Sequence, residues 1–580
     1  MCRKPFVPMM AAVSIFLLSS DMHADWTRFR GPNGDGVSPE EHPLPTEWSG
    51  TRNLQWKIPL PGPGASSPIV VGDKVLVTYW SGYGMDRTNP GDLKQLRRNL
   101  ISIDRHSGKT LWSVAVAARL PETGYSGRIT QHGYASHTPV SDGKHVYVFF
   151  GKSGAYCFDL EGKQVWQRPI GMESDPQGRG SASSPILYKD LLIVTAGAES
   201  EALVALNRKT GEEVWRQEAA GLNATWGTPA LAQAGLNRTD LVIAVPSEIW
   251  GLNPNTGRLR WFSSGLSSGN ANSSAISHDG IVYAVESGAR GAGGIAVRAG
   301  GKGDVTGSRV LWSARHANRT ATPILYQGRL YTFSNRIVTC IDAATGNEIF
   351  KARLSADGAG PATRGNSRRG GFGTDYASPV IGDGKIYFVT RSGQVFVLKA
   401  GVRFELLAVN PMGEEGEDFS ATPAISQGRL FLRSNRNLYC LTLKEDQGSS
   451  AGRQAEAPPA PEVGETPSAS QAPPGPGRFD GRRWRGGRGG FDPSWIFQRR
   501  DANGDGKLSG EEVPERMRGN LGRMDRDGDG AVTLSEFREA MSRMRRRGRG
   551  RSPGREGGRF GGRDRRQGRP ERPQRPEFES

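Results

Sequence analysis

The sequence predicts a mainly β protein, an eight-bladed β-propeller whose last blade is closed by an N-terminal strand, followed by a small α-helical pair. Three observations carry this. A small polar residue, a proline and an apolar residue recur through the first three quarters of the chain, mostly 44 to 48 residues apart. Alternating apolar runs around short polar turns follow each recurrence. Two Asp/Gly-rich loops of twelve residues then stand 24 residues apart near the far end of the 580-residue chain.

The first 24 residues read as an export signal: Arg3 and Lys4 are basic, Phe6 to Leu18 is apolar, and small residues lead to a cleavage after Ala24. The apolar run is short for a membrane span and no second one follows. The expected mature chain is therefore periplasmic or extracellular, without a transmembrane segment.

The repeat begins with Ser67-Pro68-Ile69 and continues with Thr138-Pro139-Val140, Ser184-Pro185-Ile186, Thr228-Pro229-Ala230, Ser274-Ala275-Ile276, Thr322-Pro323-Ile324, Ser378-Pro379-Val380 and Thr422-Pro423-Ala424. The fifth copy carries Ala where proline is expected. After each triplet come a polar turn and an alternating run such as His145-Val146-Tyr147-Val148, the hairpin signal. Two further strands follow across a second turn, as in Ser102 to Trp112, where Asp and Gly suit the tight bend. Four short strands per ~45 residues, eight times over, predict an eight-bladed ring. The last copy stops after three strands, and Leu54 to Leu60 supplies a fourth that removes the open edge.

Three cysteines, Cys157, Cys340 and Cys440, fill one slot of this repeat, where other copies have Ser102, Ala205 and Gly251. Equivalent slots of different blades lie far apart, so small buried side chains are expected and not disulfides.

The stretches Ser102–Trp112, Ala205–Trp215 and Gly251–Trp261 resemble the tryptophan-docking motif of the pyrroloquinoline-quinone-like propeller repeat. The opening Asp25-Trp26-x-x-Phe29-Arg30-Gly31-Pro32, with Leu44-Pro45-x-x-Trp48, is similar to exported bacterial proteins of that group. The resemblance covers roughly residues 25 to 445 and implies the fold. The group holds both quinone- and calcium-dependent dehydrogenases and non-catalytic barrel-assembly lipoproteins, so the fold alone does not select an activity. The enzymes' adjacent cysteine pair is missing here, and their Asp base and Glu/Asn/Asp calcium set match no position. Asp375, His132 and His137 are isolated candidates, with the histidines read as hydrogen-bonded turn residues and the repeat tryptophans as inter-blade packing.

Three segments break the spacing: Ser81 to Asn99, Ala118 to Ser136, and Arg353 to Tyr376, the last with Arg364, Arg368 and Arg369 among glycines. Long insertions on a rigid ring are where binding function concentrates. They are expected to cluster on one face and meet a protein partner or an anionic glycan.

Residues 446–490 are Pro/Ala-rich and then Arg/Gly-rich, a tether that cannot bury a core. Within 491–547, Asp501 to Glu512 and Asp525 to Glu536 match the EF-hand loop. Calcium takes about seven hard oxygens near 2.4 Å. Asp501, Asn503 and Asp505, and Asp525, Asp527 and Asp529, supply side-chain oxygens at positions 1, 3 and 5. Lys507 and Ala531 offer backbone carbonyls, Ser509 and Thr533 bind directly or through water, and Glu512 and Glu536 close each site. Leu508 and Val532 fit a short β-pairing between the loops. Residues 548–580 form an Arg/Gly/Pro-rich tail. From 478 onward there are 27 Lys and Arg against 17 Asp and Glu, so a surplus of 10 out of the chain's +17 lies here. Export turns such charge away from nucleic acid and toward anionic envelope polymers or lipid head groups.

The sequence reading is thus a non-enzymatic, exported, calcium-binding scaffold, with calcium as the expected ion and pyrroloquinoline quinone not expected. The alternative is a quinone-dependent alcohol or sugar dehydrogenase with a divergent site.

Overall fold

The computed structural model of the chain describes residues 25–175, 178–266, 268–285, 293–316, 320–355, 360–361, 375–443, 507–508, 529, 531–533, 535–536 and 574–579. The proposed export signal, the 446–490 tether and most of the third insertion lie outside them. The chain divides into one unit of Met1–Ala451 with Gly568–Ser580 and another of Gly452–Gln567.

The first unit is an eight-bladed propeller. Blade one is Ile69–Val71, Lys74–Ser81, Arg97–Asp104 and Thr110–Ala117, hydrogen-bonded in sequence order. The same meander recurs at 140–168, 186–218, 230–264, 276–314, 324–353 and 380–411. Blade eight takes Ala424–Ser426, Arg429–Arg433 and Asn437–Thr442 from one end of the ring and Leu54–Pro59 from the other, with Trp56 opposite Cys440. The expected closure is therefore present. Arg433 strengthens the same seam: its fully buried guanidinium donates to the carbonyls of Ser66 (2.7 Å) and Thr78 (2.6 Å) of blade one.

Neighbouring blades meet through apolar sheet faces, and five of the eight seams carry a tryptophan dock. The indole N–H of Trp56 donates to Arg105 of the next blade (3.0 Å), Trp112 to Leu160 (2.8 Å), Trp166 to Arg208 (2.9 Å), Trp215 to Pro254 (3.1 Å) and Trp312 to Ala343 (2.8 Å), in each case to a carbonyl. The ring lies on the glycine of the neighbouring turn. At Gly346, φ is +76° and an added Cβ would stand 2.6 Å from the Trp312 ring, so glycine supplies both the backbone conformation and the room.

Trp261 packs in the core shared with blade five, beside Ile295 and Val297, as expected of an inter-blade ring, but its indole N–H does not dock on the next blade. It is fully buried and donates to Asp240 of its own blade at 2.7 Å. Gly251 occupies the small-residue slot because the Trp261 ring covers it; an added Cβ would fall 2.0 Å from the indole. The reason is local. Blade five has no docking turn here, since the chain runs instead through Gly303–Asp304, which pairs parallel with Trp261 and Phe262.

Cys157, Cys340 and Cys440 are buried and unbridged. Burial pushes their thiols up to about 12, 11 and 12, so they act as small apolar fillers. No helix among the described residues is long and apolar enough to cross a membrane.

In the other unit, Lys507–Leu508 pairs antiparallel with Val532–Thr533, placing Leu508 opposite Val532. One part of the compositional tail behaves differently from the rest of that expectation: residues 574–579 pack on blade four.

Substituting Gly346 by Ala is expected to destabilise the propeller by about 2 kcal/mol, from strain at positive φ and overlap with Trp312. Urea unfolding checks this; an unchanged midpoint would remove the dock from the account of blade packing.

Candidate functional site

The eight repeat triplets converge on the ring axis. The backbone N–H of each triplet's first residue donates to the hydroxyl of the next: Ser67 to Thr138 (2.9 Å), Thr138 to Ser184 (3.0 Å), Ser184 to Thr228 (3.0 Å) and Thr228 to Ser274 (2.9 Å). The chain of bonds continues from Ser274 to Thr322 (3.1 Å), Thr322 to Ser378 (2.9 Å), Ser378 to Thr422 (3.0 Å) and Thr422 back to Ser67 (3.1 Å). Ser274 keeps its place although proline is missing after it.

Above this ring opens an axial funnel of about 530 Å³. In extended backbone, side chains two residues apart share a face, so the residue two before each triplet also faces the axis. Ala65 and Ala182 leave space there. Ser136, Thr320 and Ser420 bring hydroxyls, Asn272 an amide, and Trp226 and Tyr376 rings. This column was legible in the repeat, two positions before each Ser or Thr, and sequence reasoning passed over it. Phe29 also lines the funnel. It belongs to an opening segment that crosses the ring. Trp26 accepts from Val70 of blade one (2.9 Å), while buried Arg30 donates to Thr322 (3.2 Å) and Pro323 (2.7 Å) of blade six.

The insertions build the rim. Residues of the first and second share one small core of Trp80, Tyr83, Leu96, Ile129 and Tyr134. Beside it a buried Arg98–Glu122 pair sits at 2.5 Å. The second insertion contributes Arg128, Gln131 and His132 to the funnel. The end of the third meets it where the Tyr376 hydroxyl donates to Gln131 (3.0 Å). The expected clustering on one face is met for these described parts, while Arg364, Arg368 and Arg369 lie outside the described residues.

Two arginines set the charge. Arg179 lies over the Trp226 ring, 4.9 Å from its centroid, and the Trp226 indole donates to Gly180 (2.7 Å). His132 holds this loop: Nε2 donates to the Arg179 carbonyl (2.7 Å), which leaves Nδ1 to accept from Ser136 (2.6 Å). Burial lowers its pKa, and both ring nitrogens are occupied as in a neutral structural histidine. No Asp or Glu is among the described lining residues. Asp375 stands beside the rim, its carboxylate accepting from the Arg391 amide (2.9 Å) and its pKa raised by burial. The calcium set expected for a quinone site does not fit, because the described lining offers Asn270 and Asn272 without a carboxylate.

His137 lies away from the lining. Its Nε2 meets the Ser181 hydroxyl (3.0 Å), which donates to Glu199 (2.5 Å). Desolvation pushes His137 down to about 3 and Glu199 up to about 7. His137 is therefore neutral, Glu199 is neutral below about pH 7, and no described hydrogen-bond partner meets the second Glu199 oxygen.

Of the calcium-loop candidates, Asp501, Asn503, Asp505, Ser509, Glu512, Asp525 and Asp527 lie outside the described residues. Lys507 donates to Asp529 (2.7 Å), whose other oxygen accepts from the Ala531 amide (2.9 Å). Glu536 accepts from both the amide (2.9 Å) and the hydroxyl (2.8 Å) of Thr533. Among the described residues no group of three or more His, Cys, Asp or Glu is close enough to hold a metal.

The Glu199 carboxyl ionises near 7 in the fold and near 4.5 when unfolded, so the folded state binds the extra proton between about 4.5 and 7. Its contribution is full below about 4.5 and is lost as pH rises through about 7. Glu199→Gln should therefore gain about 3 kcal/mol over the parent chain between pH 4 and pH 8. Urea unfolding at both values checks this, and a pH-independent difference would show that Glu199 ionises normally.

No curated protein matches the sequence. Among solved structures, a europium-containing methanol dehydrogenase aligns with a TM-score of 0.50 at 10% identity, over 72% of this chain and 98% of that one. The BamB protein of Moraxella catarrhalis aligns at 0.45 and 13% identity, over 67% and 99%. The quinohemoprotein alcohol dehydrogenase of Comamonas testosteroni aligns at 0.49 and 11%, over 75% and 83%. At such identities the first likeness speaks for the fold alone. The sequence pattern described as outer membrane protein assembly factor BamB matches residues 47–172 and 96–352, more than half the chain. With its eight blades and closed ring, the chain belongs to the BamB family of quinoprotein-type propellers.

Proposed function

We propose that this protein is an exported, calcium-binding scaffold whose propeller holds an anionic partner, an acidic glycan in particular, in its axial funnel. One observation carries the reading: Arg128 and Arg179 converge with the Trp226 and Tyr376 rings on a funnel with no carboxylate among its described lining residues. Guanidinium groups bind carboxylate and sulfate in fixed geometry, aromatic faces stack on sugar rings, and Ser, Thr and Asn along the walls bond hydroxyls. The family's description, an assembly factor, favours a binding role over a catalytic one.

Calcium is assigned to the two loops, with Asp501, Asn503, Asp505, Lys507, Ser509 and Glu512 in one and Asp525, Asp527, Asp529, Ala531, Thr533 and Glu536 in the other. The Leu508–Val532 pairing supports the assignment. So does the turn of Thr533 onto Glu536, which draws positions 9 and 12 of the second loop together. Millimolar calcium outside the cytoplasm would fill such sites and stabilise the loops.

Two measurements test the reading. By calorimetry the full chain should bind two calcium ions, and Glu512→Gln with Glu536→Gln should abolish both; retention of either would place calcium elsewhere. Polygalacturonate should bind and neutral dextran should not, with Arg179→Ala weakening binding at least tenfold, about 1.4 kcal/mol. Equal affinity in that variant would move the partner off the funnel.

A further inference from the structure

The outer strand of blade four, Leu259–Ser264, is the edge at which the repeat pattern changes, because Trp261 turns inward to Asp240. Residues 574–579 meet this strand at Leu259, ahead of the stretch where Gly303–Asp304 pairs with Trp261 and Phe262. The Leu259 amide donates to Glu577 and the Glu579 amide donates to Leu259, both at 2.8 Å, and Phe578 pairs parallel with Leu259. Strand addition of this kind satisfies edge groups that would otherwise template foreign strands.

Side chains give the contact its selectivity. Arg575 reaches Glu248 with two nitrogens, at 2.8 and 2.5 Å. Glu248 is 2% exposed, and its other described bond comes from the Trp250 indole (2.9 Å). Among the described residues, Arg575 is the cation that matches this buried carboxylate. The same guanidinium lies 3.4 Å from the Phe262 ring centroid, with Phe578 edge-on to that ring at 6.3 Å. Pro576 is buried. Glu579 accepts from Arg260 (2.7 Å) and Asn253 (2.6 Å), and Arg260 in turn holds the fully buried Asp240 (2.8 Å). The segment thus carries a positive, an apolar and a negative group onto a negative, an aromatic and a positive site in the same order.

We propose that the outer edge of blade four is a peptide-binding site for an extended Arg-Pro-Glu-Phe-Glu segment, and that residues 575–579 occupy it as an intramolecular ligand. A buried carboxylate left without its cation is costly, so the edge is built to be filled. Attachment in the same chain raises the effective concentration of the segment, and a free peptide of the same pattern must compete with it. The site is independent of the funnel and of calcium.

The test uses the full chain and a fluorescent synthetic peptide of residues 571–580 as probe, read by anisotropy. In the full chain carrying Arg575→Ala and Phe578→Ala, the edge is open and the probe should bind at least tenfold more tightly than to the parent chain. Probes carrying either substitution should lose at least tenfold on the opened chain. Glu248→Gln in that chain should abolish binding; because Glu248 also holds Trp250, the substituted probes keep the result independent of folding. No binding to the opened chain, equal binding to both chains, or substituted probes as tight as the parent probe would each overturn the proposal.

Discussion

Eight hydrogen bonds around the axis hold the architecture in place. Each joins the backbone of one blade to the hydroxyl of the next, and the eighth returns to the first, Thr422 to Ser67. A bond of this kind contributes only about 1 kcal/mol net. As a closed ring, however, the bonds set the spacing and tilt of all eight inner strands together, because opening one seam disturbs both of its neighbours. The covalent gap in the ring lies within blade eight, between Asn437–Thr442 and Leu54–Pro59. There Leu54–Pro59 completes the last sheet, and Arg433 ties that sheet to blade one.

The same ring divides labour along each repeat. The Ser or Thr of the triplet is committed to structure, while the position two before it faces the same axis without being part of the ring. Variation there costs the fold little, so residues of very different size and polarity occupy it. Trp226, Asn272 and Tyr376 occupy that column beside residues as small as Ala65 and Ala182. The insertions then add what the column cannot, namely the charge of Arg128 and the long reach of Gln131. A buried scaffold of His132, Ser136 and the Arg179 carbonyl keeps the rim rigid. Beneath it, burial biases both His137 and Glu199 toward their neutral forms, because the low-dielectric interior disfavours each charge.

On the outside of the ring, the tryptophan dock plays a parallel role. It takes one indole, one carbonyl and one glycine from two adjacent blades. At blade four these parts are rearranged: Trp261 goes to Asp240, and Gly303–Asp304 takes the outer edge. Gly303–Asp304 covers the edge only at Trp261 and Phe262, which leaves the backbone of Leu259 for residues 574–579.

By itself the sequence determined the fold class, the blade count and the closure, because eight recurrences of Ser/Thr-Pro-apolar encode contacts that are local and identical in every copy. It also determined that the cysteines are fillers, since one slot in different blades cannot form bridges. The Leu508–Val532 pairing was equally legible, as a short β-pairing between two loops of the same pattern. Only the tertiary structure decided what shares the funnel. Arg128, Arg179, Trp226 and Tyr376 come from different blades and insertions, and no local pattern relates them. It alone decided that Trp261 turns inward, because that depends on Asp240 being buried beneath it. And it alone decided that Arg575 and Phe578, in a segment whose composition reads as solvated tail, find Glu248 and Phe262 more than three hundred residues earlier in the chain. Composition reports how much apolar surface a segment carries, whereas docking depends on a complementary surface that exists only once the ring has closed.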